Sequence, residues 1–137
     1  MVHLLFNDDR IDIATEGVTK TLYDCAAGTG GMGSVAKEYM ESHNKLGELI
    51  FNAQEVNEES FAISKSDLLI KGEDATNIRL GNTLTNDQFP NDTFDFMISN
   101  PPYGVDWKKV EKKVKDEHND LGFNGRFGAG LPRTSDG

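Results

Sequence analysis

A cluster of glycines between an apolar strand pattern and a helical stripe constrains the fold of this chain more than any other feature. Residues 20–24 read as a strand with an apolar core, and the chain then runs into glycines at positions 28, 30, 31 and 33. From Met32 to position 40, apolar residues recur at helical spacing. A strand that turns through glycine into a helix is typical of the first unit of a parallel α/β sheet.

The same alternation continues along the chain. Residues 48–52, 77–80 and 94–99 predict three more strands. Between the second and third strands, Asn57 is a candidate N-cap and Gly72 a candidate end for a helix, whose apolar face we expect to hold Phe61, Ala62, Leu68 and Leu69. The pattern therefore predicts four parallel strands joined by crossover helices.

Length and composition favour one domain. The 137 residues suffice for a single core, and no run approaches the roughly 20 apolar residues of a membrane span. We expect residues 1–19 to be the remnant of a preceding helix and loop, and the glycine-rich, polar residues 116–137 to be loop or disordered. A single cysteine excludes an internal disulfide and makes no metal site by itself, so we expect no metal and a cytoplasmic location.

The net charge argues against tight binding to nucleic acid by this chain alone. The formal charge is −9 and the pI about 4.7, whereas nucleic-acid affinity comes largely from lysine and arginine on phosphates. Five lysines between residues 108 and 115 are an exception. We interpret them as a solvated helix face rather than as a phosphate-binding surface.

The glycine cluster is a candidate cofactor site because it lies at the carboxyl end of a strand, where open α/β sheets bind ligands. Glycine permits a tight turn and close approach of the backbone to a ligand. No Walker-type Gly-Lys-Ser/Thr follows, so a triphosphate is disfavoured. The spacing of the glycines at 28, 30 and 33 fits a dinucleotide as well as S-adenosylmethionine. The residues that we assign to this site are Asp24, Ala26, Gly28, Thr29 and Gly30.

An acidic residue at the end of the second predicted strand extends the same site. Glu55 lies about 25 positions beyond Gly30, where a carboxylate can accept hydrogen bonds from both hydroxyls of a ribose. Each charge-assisted bond of this kind contributes roughly 1.5 to 3 kcal/mol. We therefore add Glu55 to the candidate cofactor site.

The end of the fourth predicted strand carries the most specific motif in the chain, Asn100-Pro101-Pro102-Tyr103. An aromatic amine is a poor nucleophile because its lone pair is delocalised. If its two N–H groups donate to the Asn100 side-chain oxygen and the Pro101 carbonyl, the nitrogen moves toward tetrahedral geometry and frees the pair to attack a sulfonium methyl group. The prolines stiffen these acceptors, and Tyr103 offers a stacking face. We assign Asn100, Pro101, Pro102 and Tyr103 to a candidate catalytic site.

Together these motifs resemble a known family. Asp24 with Gly-Thr-Gly-Gly-Met at 28–32, then Gln54-Glu55, then Gly-Asn-Thr-Leu at 81–84, then Asn-Pro-Pro-Tyr-Gly at 100–104 are similar to the modification subunit of type I restriction-modification enzymes, a group of DNA adenine N6-methyltransferases. The resemblance covers residues 20 to 133. Cys25 stands where that family usually has proline, and Asn82 where it usually has aspartate.

The resemblance implies a Rossmann-like methyltransferase sheet of which this chain supplies the first four strands, in the order three, two, one, four. It implies S-adenosylmethionine as methyl donor and a flipped adenine in DNA as acceptor. It further implies that Asn82 lies near the cofactor adenine, and that the partners are DNA, a specificity subunit and a restriction subunit. Because the strands that follow the fourth in that family are missing here, we interpret the chain as a truncated domain whose fourth strand is an exposed edge.

Three alternatives stay open from the sequence. A protein glutamine N-methyltransferase uses the same four-residue loop, although the Gly-Gly-Met continuation and the Gln-Glu pair favour the DNA family. A non-catalytic fragment that packs on a partner would bind cofactor at most. A nicotinamide dehydrogenase is the least favoured of the three. Binding of S-adenosylmethionine, and preference for it over NAD, separates these alternatives.

Overall fold

The computed structural model describes residues 1–7 and 13–131 as an α/β unit. Its strands are β1 (Thr19–Asp24), β2 (Glu48–Glu55), β3 (Ile78–Leu80) and β4 (Phe96–Met97), and its helices are α1 (Val2–Phe6), α2 (Gly31–His43), α3 (Glu58–Ile70) and α4 (Glu111–Leu121). Short 3₁₀ turns cover Ala75–Asn77, Lys108–Val110 and Gly122–Asn124. Within these ranges no helix is long and apolar enough to cross a membrane.

The four strands form one sheet in the order β3-β2-β1-β4, and every pair is parallel. This confirms both the predicted fold class and the predicted strand order. β1 pairs with β2 along its whole length, with Leu22 opposite Phe51 and Asp24 opposite Ala53. Because all strands run the same way, their carboxyl ends meet at one edge of the sheet, which we call the carboxyl edge.

Two strands differ from their predicted bounds by more than one residue. β2 continues past Asn52 to Glu55, because its last three residues pair with β3. β4 is shorter than the predicted 94–99 because the Asp95 side chain accepts from the Thr21 backbone N–H at 2.8 Å, where a ladder carbonyl would otherwise accept. β4 ends at Met97, and the Ile98 N–H still donates to the Tyr23 carbonyl at 2.9 Å. The two prolines after Asn100 keep the ladder from resuming, since neither can donate a hydrogen bond.

The buried face of α3 was predicted only in part. Asn57 caps the helix as expected, accepting from the Ser60 N–H at 2.9 Å. The buried residues of α3 are Ser64 and Leu68, whereas the predicted Ala62 and Leu69 are exposed. Ser64 lies so close to the glycine turn that a β-carbon on Gly30 would come within 2.6 Å of its Oγ. Position 64 therefore needs a small side chain. The helix therefore faces the glycine turn with a serine rather than with a large apolar side chain.

The prediction of loop or disorder from residue 116 onward is wrong for its first part. α4 continues to Leu121, and a 3₁₀ turn follows it. Val114 lies at helical spacing among the lysines and anchors the helix, being 1% exposed. Residues 132–137 lie outside the described residues.

Candidate functional site

Asp24 ends β1 at the carboxyl edge, and its side chain is completely buried. One carboxylate oxygen accepts from the Ala26 N–H at 3.0 Å. The other, Oδ2, is buried without a hydrogen-bond partner among the described residues. Burial raises the pKa of Asp24 to about 6; the Ala26 hydrogen bond opposes this rise and the charge of Glu55 adds to it. An unpaired buried acceptor of this kind favours a cationic or hydrogen-bond-donating ligand.

Glu55 ends β2 on the same edge and is also buried. Its Oε1 accepts from the backbone N–H groups of Val56 and Asn57, at 2.9 and 2.7 Å. Its Oε2 accepts from the Gly28 N–H at 2.7 Å. A carboxylate has about four acceptor positions, so Oε2 keeps one for a ligand. Glu55 thus keeps acceptor capacity for one further donor at Oε2, rather than for two donors shared between both oxygens.

The glycine turn between β1 and α2 has the backbone that its glycines predict. Gly28 and Gly30 have φ values of +57° and +82°, which side-chain-bearing residues rarely adopt. Gly30 is the N-cap of α2, so the free N–H groups of the first helical turn lie at this edge. Thr29 is exposed and Ala26 is half-buried in the same turn. The turn offers a site for an anionic group close to the two buried carboxylates.

The loop from residue 81 to 89 carries Asn82 and follows β3 at the same edge. The Asn82 side-chain oxygen accepts from the Leu84 N–H at 2.9 Å. The Thr83 hydroxyl donates to the Cys25 carbonyl, which ties the loop to the glycine turn. Asn82 therefore lies on a loop that contacts the candidate cofactor site. Its amide oxygen already accepts a hydrogen bond from the backbone of the same loop.

Gln54 has a role in this loop that sequence reasoning did not assign. Its side chain is fully buried; the amide donates to the Asn86 carbonyl at 2.8 Å and the amide oxygen accepts from the Gln88 N–H at 3.1 Å. The Tyr23 hydroxyl approaches the same oxygen at 3.4 Å, and burial raises the pKa of Tyr23 to about 12. The available signal was a polar side chain directly before Glu55, just beyond the predicted second strand.

The motif at 100–103, which we call the reaction loop, starts at the same edge but has a different character. The Cys25 Sγ lies 3.4 Å from the Ser99 Oγ, so the residue after Asp24 touches the residue before Asn100. Beyond that contact, all four side chains of the loop are exposed, and Tyr103 is 88% exposed. The structure brings the two predicted sites to one edge without enclosing them in a common pocket.

Two surface hollows lie elsewhere. One is lined by residues of α2, β2 and the end of α3, including Lys37 and Glu73, and the other by α1 with Met32 and Val35. Neither is lined by Asp24, Glu55 or Asn100. Within 1–7 and 13–131, no three histidine, cysteine or acidic side chains gather as metal ligands.

A family comparison decides the assignment. The family described as N-6 DNA Methylase matches residues 5–129. The chain belongs to this family. That membership confirms the resemblance that the motifs carry, since the match spans the glycine turn, the 81–89 loop and the reaction loop.

Two further proteins are similar to this chain over part of their length. The type I restriction enzyme MjaIX methylase subunit of Methanocaldococcus jannaschii is 29% identical over 98 residues, which are 70% of this chain and 17% of that protein. The structure of the type I restriction-modification methyltransferase subunit from Streptococcus thermophilus superposes with a TM-score of 0.70 at 23% identity, over 99% of this chain and 27% of that one. The chain thus spans about a sixth to a quarter of the proteins that it matches.

Proposed function

We propose that this chain is the cofactor-binding part of a site-specific DNA (adenine-N6) methyltransferase that works within a type I restriction-modification complex. The observation that supports this most is the pair of buried carboxylates at the carboxyl edge, Asp24 with a free oxygen and Glu55 with one free acceptor position. They lie beside a reaction loop whose acceptors suit an amine.

The residues at the carboxyl edge fit S-adenosylmethionine, which supplies an electrophilic methyl group when bound. The methionine part carries an ammonium and a carboxylate. Asp24 Oδ2 offers a buried acceptor for the ammonium, and the N-terminus of α2 suits the carboxylate. Glu55 Oε2 can accept from a ribose hydroxyl, and the Asn82 loop is suited to the adenine. The same residues would select S-adenosylmethionine over NAD only through the ammonium and sulfonium charges.

The reaction loop then performs the step on the target base. Asn100 Oδ1 and the Pro101 carbonyl accept the two N–H hydrogens of the adenine amine, so that its lone pair points at the methyl group. Pro102 restricts the loop, and Tyr103 stacks on the flipped base. The transferred methyl group leaves the amine cationic, and the amine then releases its extra proton to solvent, because neither amide oxygen is basic enough to take it up.

DNA binding is assigned mainly to partners. With a net charge of −9, this chain supplies few phosphate contacts of its own. A specificity subunit would read the sequence and hold the backbone, and a restriction subunit would complete the complex in the cytoplasm. The family match over residues 5–129 favours a DNA substrate over a protein glutamine.

Calorimetric titration tests the proposal. The purified chain should release heat with S-adenosylmethionine, and NAD should give no competing signal. In the assembled enzyme, a tritium-labelled methyl group should appear on the adenine N6 of target DNA. Absence of heat and of thermal stabilisation at millimolar S-adenosylmethionine would instead favour a non-catalytic fragment, and label on glutamine would favour the protein methyltransferase.

A further inference from the structure

Arg126 joins the segment after the reaction loop to the loop that carries Asn82. Its guanidinium forms a two-point contact with Glu117 of α4, through Nε at 3.0 Å and Nη2 at 2.5 Å. Its remaining N–H groups donate to the Thr83 carbonyl and, at 3.3 Å, to the Leu84 carbonyl. Arginine is suited to this role because its planar fork presents several donors in fixed directions.

The contacts of Arg126 lead to Asn82 through one rigid group. The Thr83 carbonyl and the Leu84 N–H belong to the same planar peptide. Arg126 donates to the carbonyl, and the N–H donates to the Asn82 side-chain oxygen at 2.9 Å. A donor on the carbonyl fixes the orientation of the peptide and polarises its N–H. Arg126 therefore helps to determine where the Asn82 amide points.

The other end of α4 connects to the reaction loop. A 3₁₀ turn at Lys108–Val110 leads from that loop into α4, which carries Glu117. The 81–89 loop is meanwhile tied to the glycine turn by the Thr83 hydroxyl on Cys25. The Arg126–Glu117 pair is thus a bridge between the segment of the reaction loop and the candidate adenine site.

We propose that Arg126 is a positioning residue for cofactor binding, acting on Asn82 through the Thr83–Leu84 peptide, with Glu117 orienting its guanidinium. The inference rests on the proposed function, because it assigns the Asn82 loop to the cofactor adenine. It implies that a residue outside the cofactor site sets its affinity.

Arg126→Gln tests the inference by whether it strengthens or weakens the binding of S-adenosylmethionine. S-adenosylmethionine carries a net positive charge, so removal of a nearby cation would strengthen its binding if only long-range electrostatics acted. Loss of positioning predicts the opposite, an affinity about tenfold weaker. S-adenosylhomocysteine, which lacks the sulfonium charge, should lose affinity by the same factor. Exchange of the Leu84 amide should become faster by about tenfold.

A further variant separates the hydrogen-bonding geometry of the guanidinium from its charge, and a second serves as control. Arg126→Lys keeps the charge, but three donors on one nitrogen cannot reproduce the four directed hydrogen bonds of the guanidinium, so it should resemble Arg126→Gln. Arg79→Gln is the matched control. It removes an arginine that donates to the Gln88 carbonyl at the other end of the same loop, and it should change affinity by less than about twofold.

A double-mutant cycle completes the test. Glu117→Gln should weaken binding less than Arg126→Gln, and the double variant should be no weaker than Arg126→Gln alone, because Glu117 acts through Arg126. Additive losses, or wild-type affinity in Arg126→Gln, would overturn the inference while leaving the proposed function intact. If the wild-type chain itself fails to bind S-adenosylmethionine, the proposed function fails and the inference falls with it.

Discussion

The two halves of the candidate site differ in how completely this chain builds them. At the cofactor half, Asp24 and Glu55 are buried and the glycine turn has its required positive φ values. At the reaction loop, the side chains of residues 100–103 are exposed. A buried, hydrogen-bonded site is organised before its ligand arrives, whereas an exposed loop acquires its geometry when a partner covers it. We therefore expect substitutions in the first half to change stability and cofactor binding, and substitutions in the second to change only catalysis.

The largest effect is expected from Asn100→Ala in the assembled methyltransferase. Loss of one of the two amine acceptors should lower the rate of methyl transfer by about 100- to 1000-fold. Affinity for S-adenosylmethionine should stay within about twofold, since the side chain makes no part of the buried site. Single-turnover methylation and calorimetry measure the two quantities separately. Asn119→Ala, at an exposed asparagine of α4, is the control; unimpaired transfer in Asn100→Ala would contradict the assigned role.

Glu55→Gln should have the next largest effect, on binding and on stability. The amide replaces a charged acceptor of three backbone N–H groups and turns one of its own donors toward them. We expect affinity for S-adenosylmethionine to fall roughly 10- to 100-fold and the free energy of unfolding to fall by about 1 to 3 kcal/mol. Calorimetry and urea unfolding measure these changes. Glu41→Gln removes the same charge from an exposed position of α2 and should change neither.

Asp24→Asn should stabilise the ligand-free chain. The pKa of Asp24 lies at about 6 in the folded chain and at 3.8 as the ordinary value, so the folded state holds the proton more tightly than the unfolded state does. The wild-type chain therefore loses stability as pH rises through roughly 4 to 6, and the full cost applies above that window. Asparagine carries no charge to bury, so Asp24→Asn should raise the free energy of unfolding by about 1 to 3 kcal/mol at pH 7 and leave it unchanged near pH 3.

Urea unfolding of both chains at several pH values measures this difference. A gain that persists unchanged at pH 3 would contradict a buried, ionised Asp24. The same variant should bind S-adenosylmethionine more weakly, because the acceptor proposed for the ammonium loses its charge. A site that is better folded but binds worse is the expected signature of a carboxylate held for a ligand.

Tyr103→Ala should have the smallest effect on the fold. Its side chain is 88% exposed, so the free energy of unfolding should change by less than about 0.5 kcal/mol. Methyl transfer should fall by about tenfold through lost stacking on the base, and Tyr103→Phe should retain most of it. A substantial loss of stability in Tyr103→Ala would contradict the contrast between the two halves.

The sequence predicted the parts of this molecule that depend on local pattern. The alternation of strands and helices, the glycine turn and the N-cap at Asn57 follow from periodicity and from residues with one conformational role. The strand order was implied only by the resemblance to the methyltransferase family, and the structure confirms it. The shortening of β4 could not be predicted in this way. It depends on the Asp95 side chain, which accepts a hydrogen bond from the Thr21 backbone N–H, 74 residues away in the sequence. The hydrogen bond from Arg126 to the Thr83 carbonyl, 43 residues apart, could not be predicted either, because Arg126 lies in a glycine-rich segment with no periodic pattern.

We propose that the cofactor binds at the carboxyl edge, and amide chemical-shift mapping with S-adenosylmethionine locates the bound ligand residue by residue. Binding at this edge should shift the amide signals of Gly28, Gly30, Val56 and Leu84 and leave those along the exposed face of α4 nearly unchanged. Shifts confined to the hollow near Lys37 and Glu73, or none at millimolar ligand, would show that the cofactor does not bind at the carboxyl edge.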